Sequence, residues 1–320
     1  MKEKETDNDY FEVAPGVWGL KDLFVNVYMV QNEEDYSWVL IDAGLKTSYS
    51  KIKKAAEKIF GEQNHPVAII LTHGHFDHVG SLVRLADWWQ VPVYAHYMEM
   101  PYLTGKSSYP PADSSVGGGL FTYIADLYPN EPIDIRGRVK ALPRNSSVPG
   151  LPEWRYIHTP GHAPGHISFW HEKDKILIAG DAFVTTQQES AIAVILQSEI
   201  ISGPPKYFTY DWTKAEKSVK ELADLEPEII ATGHGKPMMG REMQQELEEL
   251  AEEFKQKAVP KHGRYVNNPA VADKTGVVYL PEREFDPYGV IVQISGIAAI
   301  LALGWVWLTL NKNSNKLAVS

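Results

Sequence analysis

The chain has 320 residues with 44% hydrophobic and 22% charged side chains, enough for one large α/β domain or two small ones around an ordinary core. Its 31 Lys and Arg against 41 Asp and Glu leave −10 at pH 7, which argues against a surface built for phosphate backbones, so no nucleic-acid partner is expected. There is no cysteine, which excludes disulfides and thiolate metal sites; any metal must be held by His, Asp or Glu.

The N-terminus, "MKEKETDNDYFEV", is charged and lacks an apolar run, so no secretory signal is expected. Residues 24–31 and 38–44 read as apolar, β-rich strands split by the polar "NEEDYS". "TSYSKIKKAAEKIFG" follows with Ile52, Ala55, Ala56 and Ile59 at helical spacing and Gly61 as a stop. "PVAIILTH" is a short buried strand, "HVGSLVRLADWWQ" a helix and "VPVYAH" a strand again. This alternation predicts an α/β layered sheet.

Between 98 and 132 the pattern breaks into a Gly-, Pro- and Ser-rich segment with scattered aromatics, expected to be an inserted lid or binding loop. Beyond it come the strand "WRYIHTPGH" and the segment "HISFWHEKDKILIAGD", expected to be a hairpin turning at 172–174. "DWTKAEKSVKELADLEP" predicts a helix with Asp211 as its N-cap. "EIIATGHG" is a buried strand ending in a histidine, and "REMQQELEELAEEFKQKA" a charged surface helix.

The run 289–310, "GVIVQISGIAAILALGWVWLTL", has no charge. As a helix it would reach about 33 Å, enough to cross a hydrocarbon core of about 30 Å. Tyr288, Trp305 and Trp307 fall where aromatic rings favour the membrane interface. The expected layout is a catalytic domain at 1–258, a linker at 259–288, a C-terminal transmembrane helix at 289–310 and a tail at 311–320. The expected localisation is a membrane, through this single-pass anchor, with the catalytic domain on its cytoplasmic face.

The chemistry sits in "LTHGHFDHVG", where an apolar strand gives way to His73, His75, Asp77 and His78. In an extended segment residues two apart point the same way, so His73 and His75 can reach one ion together. Asp77 and His78 lie past the turn and aim at a neighbouring position. Further ligand types follow apolar strands elsewhere: His162 in "TPGHAPGH", Asp181 in "IAGDAF", His234 in "IIATGHG" and Asp42 in "VLIDAG". Strand ends are where α/β proteins collect their sites.

The set HxHxDH, TPGHxxGH, GDA and a late GHG resembles the metallo-β-lactamase superfamily, nearer its glyoxalase II-like hydrolase branch. The resemblance covers roughly the first 260 residues and implies an αββα sandwich with two metals between its loops. It implies His73, His75 and His162 on the first metal, Asp77, His78 and His234 on the second, and Asp181 bridging them. Asp42 would be a supporting carboxylate nearby, and His166 would support the ligand loop rather than bind. The ions are expected to be zinc, with iron or manganese as alternatives.

Two such ions would share a water and present hydroxide to the carbonyl of an ester, thioester or lactone, with Asp77 orienting it and moving its proton. The substrate is a small molecule with apolar parts, in a pocket formed by the insertion and residues 187–212. Two other readings stay open: a mononuclear-iron enzyme like the persulfide dioxygenases, and a non-catalytic membrane-tethered binding protein.

Overall fold

The computed structural model describes residues 10–196 and 198–283. Strands β1 (Tyr10–Ala14), β2 (Val17–Asp22), β3 (Val25–Gln31) and β4 (Trp38–Ile41) are antiparallel neighbours. β5 (Ala68–Ile70), β6 (Val93–Ala95) and β7 (Val139–Ala141) continue the sheet in parallel, in the order β1 to β7. A second sheet holds β8 (Ser147–Val148), β9 (Leu151–His158), β10 (Ile167–His171), β11 (Ile176–Gly180), β12 (Ile229–Thr232) and β13 (Met238–Met239). Its order runs from β13 down to β8, antiparallel except for the β11–β12 pair.

Alternation along single strands shows how the layers stack. In β4, Trp38 and Leu40 face one core with Ile52 of helix α1 (Tyr49–Phe60) and with Leu82 and Leu85. Val39 and Ile41 face the opposite way, into a second core shared with Phe169, Ile176 and Ile178 of the other sheet. In β11, Leu177 and Ala179 point outward against Leu222 and Leu247 of the helices Trp212–Ala223 and Arg241–Glu252. Each fully buried aliphatic side chain of this kind contributes about 1.5–3 kcal/mol, so three stacked apolar interfaces hold four layers together. The result is the expected αββα sandwich.

The helix at 49–60 buries Ile52, Ala55 and Ala56 and ends at Gly61, whose φ of +93° suits glycine. Asp211 caps its helix by accepting the Lys214 N–H. The 172–174 turn does join antiparallel strands, β10 and β11. Two features differ from the sequence reading. The stretch "YFEVAPGVWGLKD" forms a β1–β2 hairpin, and "HFDHVGSLVRLADWWQ" forms two helices, α2 (Phe76–Val79) and α3 (Leu82–Trp89), broken at Gly80–Ser81.

The expected C-terminal transmembrane helix needs correction, and with it the single-pass membrane localisation and the membrane partner. Among the described residues no helix is long and apolar enough to cross a membrane. The longest of them have 12 residues, about 18 Å at 1.5 Å per residue, against a core of about 30 Å. An uncharged run permits a spanning helix without dictating one, and 289–310 lies outside the described residues.

The inserted segment 98–132 folds into short helical turns, including Met100–Leu103, Ser114–Val116 and Leu120–Tyr123. Beyond residue 258, a hairpin of β14 (Val271–Asp273) and β15 (Gly276–Tyr279) lies against it, with the Val277 N–H donated to Ser107 Oγ at 3.1 Å.

Candidate metal centre

β4 stops at Ile41 because Asp42 adopts a left-handed backbone, φ +63°, which aspartate tolerates better than most residues. That turn aims its carboxylate at the next strand end. Asp42 Oδ1 accepts the Thr72 N–H at 2.7 Å, and Oδ2 accepts the Thr72 hydroxyl at 2.7 Å. His78 Nδ1 lies 2.8 Å from the same Oδ2 and donates to it. The single hydroxyl proton of Thr72 is engaged by Asp42, so Thr72 Oγ1 accepts from His73 Nδ1 at 3.0 Å. Both histidines are therefore held with Nδ1 protonated and the Nε2 lone pair turned inward. His78 Nε2 is buried with no hydrogen-bond partner, the arrangement a metal ligand requires.

The second sheet supplies the other half. His162 stands on the loop after β9, Asp181 follows β11, and His234 follows β12. His162 Nε2 lies 3.2 Å from His73 Nε2 and 2.9 Å from His75 Nδ1. With Nδ1 inward, His75 donates its Nε2–H to the Tyr210 hydroxyl at 3.1 Å. His234 donates Nδ1–H to the Phe24 carbonyl at 2.6 Å, which leaves Nε2 facing Asp181 at 3.0 Å and Asp77 at 3.6 Å. Asp181 Oδ2 also lies 3.5 Å from His162 Nε2 and 3.6 Å from His78 Nε2, and Oδ1 has no partner.

Two glycines let these groups approach. A Cβ on Gly180, where φ is +56°, would come within 2.6 Å of His166 Nε2. A Cβ on Gly233 would collide with Asp181 Oδ1. His166 itself has both ring nitrogens engaged: Nε2 accepts the Asp181 N–H at 2.8 Å, so Nδ1 donates to Thr159 Oγ1 at 2.8 Å. It holds Asp181 in place and has no lone pair to offer.

Seven side chains expected from the sequence thus converge, all of them buried. They fall into three overlapping groups able to hold a metal: His73, His75 and His162; His73, His78 and Asp181; Asp77, His78 and His234. Burial and the neighbouring imidazoles keep His73 and His75 far below the usual histidine range, and burial takes His162 down to about 3, so these three are neutral at pH 7. Burial also opposes charge on His78 and His234, but Asp181 with the other carboxylates outweighs it and raises both. Burial pushes Asp77 up, while burial of Asp181 is overcome by His234 and His78, which hold it well below the carboxylate range. Without a cation, carboxylates and imidazoles share this charge among themselves. A divalent ion would take over that role, so the donor set fits one.

The sequence model of the metallo-beta-lactamase superfamily matches residues 20–234. The chain belongs to that superfamily. It is 48% identical over 242 residues to the probable metallo-hydrolase YflN of Bacillus subtilis (strain 168), covering 75% of this chain and 92% of that one. The probable metallo-hydrolase YybB of the same organism is 25% identical over 218 residues, 68% of this chain and 84% of that one. Among solved structures, the archaeal superfamily protein ST1585 from Sulfolobus tokodaii aligns with a TM-score of 0.52 at 21% identity, over 77% of this chain and 89% of its own. That likeness concerns the fold.

As in the sequence reading, the superfamily scaffold leaves a cleft where the insertion meets residues 187–212. It opens beside Asp77. Phe121 and Tyr128 come from the insertion, and Gln188, Tyr207 and Phe208 from the later stretch; Phe24 and Phe76 complete the wall. Phe208 stacks on His75 with ring centroids 4.7 Å apart.

Sequence reasoning missed Glu99 and its partners. Glu99 is fully buried, accepting the Gly165 N–H at 2.7 Å and the Gly74 N–H at 2.9 Å. Gly74 separates His73 from His75, and Gly165 lies between His162 and His166. The Tyr109 hydroxyl donates to Glu99, and its ring packs on His75 at 4.5 Å. One carboxylate from the inserted segment thereby joins both histidine loops. An acid amid the apolar "HYMEMPYL" is the signal that could have found it.

Proposed function

We propose that the chain is a metal-dependent hydrolase acting on a carbonyl ester, thioester or lactone. The observation that carries the reading is the convergence of ring nitrogens from His73, His75, His78, His162 and His234 around the carboxylates of Asp77 and Asp181, with His73, His75, His78 and His234 each held by a hydrogen bond on the other ring nitrogen. In this reading His73, His75 and His162 would hold one divalent ion and Asp77, His78 and His234 a second, Asp181 would serve both, and zinc would be the metal. Bound there, the ions supply Lewis acidity and water acidified towards neutral pH.

The remaining work falls to the protein. Asp77 borders both the histidine cluster and the cleft, so its carboxylate can orient the attacking water and carry a proton to the leaving group. Asp42 and Thr72 hold His78 and His73 in fixed tautomers and His166 holds the backbone of Asp181, which together reduce the reorganisation needed during reaction. The aromatic wall keeps bulk water from the reacting carbonyl. The presence of Asp77, His78 and His234 beside the first trio favours hydrolysis over a one-iron oxygen reaction.

The test is zinc-loaded protein assayed against thioesters, esters, lactones and phosphodiesters, with elemental analysis in parallel. Two metals per chain, carbonyl hydrolysis, and a loss of about a thousandfold in kcat in Asp77→Asn with metal retained are expected. A fully loaded protein that hydrolyses none of the carbonyl substrates, or one iron with oxygen uptake, would defeat the proposal.

A further inference from the structure

The cleft beside Asp77 combines three properties that constrain its occupant. Its wall is aromatic, with Phe24, Phe76, Phe121 and Tyr128 facing Tyr207 and Phe208. Among the described residues no lysine or arginine lines it, so a carboxylate or phosphate entering it would lose water without gaining a counter-charge. The one neutral polar group besides the two tyrosine hydroxyls is Gln188, only 2% exposed. It lines the cleft together with Tyr207, and its Oε1 is buried with no hydrogen-bond partner.

A buried amide oxygen without a partner costs free energy unless a ligand supplies the donor. Sites built to hydrogen-bond a substrate reject analogues that lack the group, because the protein atom is then left unpaired. The rings favour a flat apolar body, since each offers a face or an edge to stack on.

From this we propose that the cleft takes the acyl group of an uncharged substrate, flat and apolar, carrying one O–H or N–H that donates to Gln188 Oε1. The inference deepens the hydrolase reading and rests on it for the position of the reacting carbonyl, next to Asp77. Water adds to that carbonyl, the bond to the leaving oxygen or sulfur breaks, and the proton lost by water ends on the leaving group; no other reactant is needed.

The test has a turnover arm and a binding arm, both on full-length, zinc-loaded protein. In the first, kcat/KM is compared for the phenyl esters of 4-hydroxybenzoic acid, of benzoic acid, and of terephthalic acid with one free carboxylate. The hydroxyl-bearing ester is expected to lead the plain benzoate by about tenfold, and the carboxylate to trail both. In Gln188→Leu the hydroxyl preference should disappear; because it is a ratio within one variant, it is read independently of how much protein folds. The second arm measures binding of 4-hydroxyacetophenone and 4-carboxyacetophenone, ketones that cannot be hydrolysed, by calorimetry. Preferred binding of the hydroxyl ketone, weakened in Gln188→Leu, supports the cleft assignment even if no ester turns over, in which case the hydrolase reading alone fails. Turnover or binding that favours the carboxylated compounds, or a hydroxyl preference unchanged in Gln188→Leu, overturns the assignment and leaves the hydrolase reading standing.

Discussion

Glu99 accepts the N–H of Gly165 at 2.7 Å, so a side chain from the inserted segment fixes a loop that carries two of the site's histidines. Its other oxygen does the same for Gly74. Burial pushes the Glu99 carboxyl up to about 7, partly offset by hydrogen bonds from Tyr109, Gly165 and Gly74. A folded-state value above the unfolded one means that the native chain holds the proton more tightly. The stabilisation is then full below about pH 4.5 and is lost as pH rises towards 7. Metal-free wild type compared with Glu99→Gln in denaturant should lose about 3 kcal/mol of relative stability between pH 4.5 and pH 8. A difference that stays constant across that range would show that Glu99 does not titrate in the native state.

Asp42 is the second test. Its Oδ2 accepts from both Thr72 and His78, and an asparagine can place only one acceptor oxygen there. Asp42→Asn should lower metal affinity about 10- to 100-fold, measured by competition with a chromophoric chelator. Wild-type affinity in the variant would mean that the tautomers are set by something else.

Removing the Asp181 carboxylate addresses the centre directly. Its Oδ2 is within 3.0–3.6 Å of nitrogens from His234, His162 and His78, which belong to both proposed metal groups. Asp181→Ala should therefore reduce metal content to one ion per chain or fewer, read by elemental analysis after gel filtration. Two ions retained at full rate would remove Asp181 from the shared position.

Gly233 offers a test that replaces no proposed ligand residue. An added Cβ would collide with Asp181 Oδ1, and Gly233 directly precedes His234 in the chain. Gly233→Ala should keep its circular dichroism spectrum and lose about a hundredfold in activity, the usual cost of a small misplacement at a reacting centre. Wild-type activity would show that the loop relaxes freely.

The converging His and Asp cluster was legible because histidines and aspartates at the ends of apolar runs contradict ordinary burial preferences, and "LIDAG", "LTHGHFDH" and "IAGD" each show that conflict in a few residues. Layer order was legible for a related reason: "WVLI" and "ILIAG" are apolar at every position, as strands covered on both faces must be. Glu99, Tyr109 and Tyr210 were not, because each owes its role to a contact far along the chain, such as the 66 residues from Glu99 to Gly165. Nor does local spacing show that Thr72 joins Asp42 to His73. In the tail the opposite holds, since the uncharged run over 289–310 permits a span without requiring one, and among the described residues no helix is long and apolar enough to cross a membrane.

The centre draws His73, His75, Asp77 and His78 from the first sheet's side and His162, Asp181 and His234 from the second. Neither half of the polypeptide owns a complete set, so on the proposed reading each bound ion acts as a rivet across the sandwich. Ligands that bind only the native state raise its stability with the logarithm of their free concentration. Metal supply would then govern more than catalytic competence: a starved chain would unfold more readily, and the amount of intact protein would follow the ion it uses.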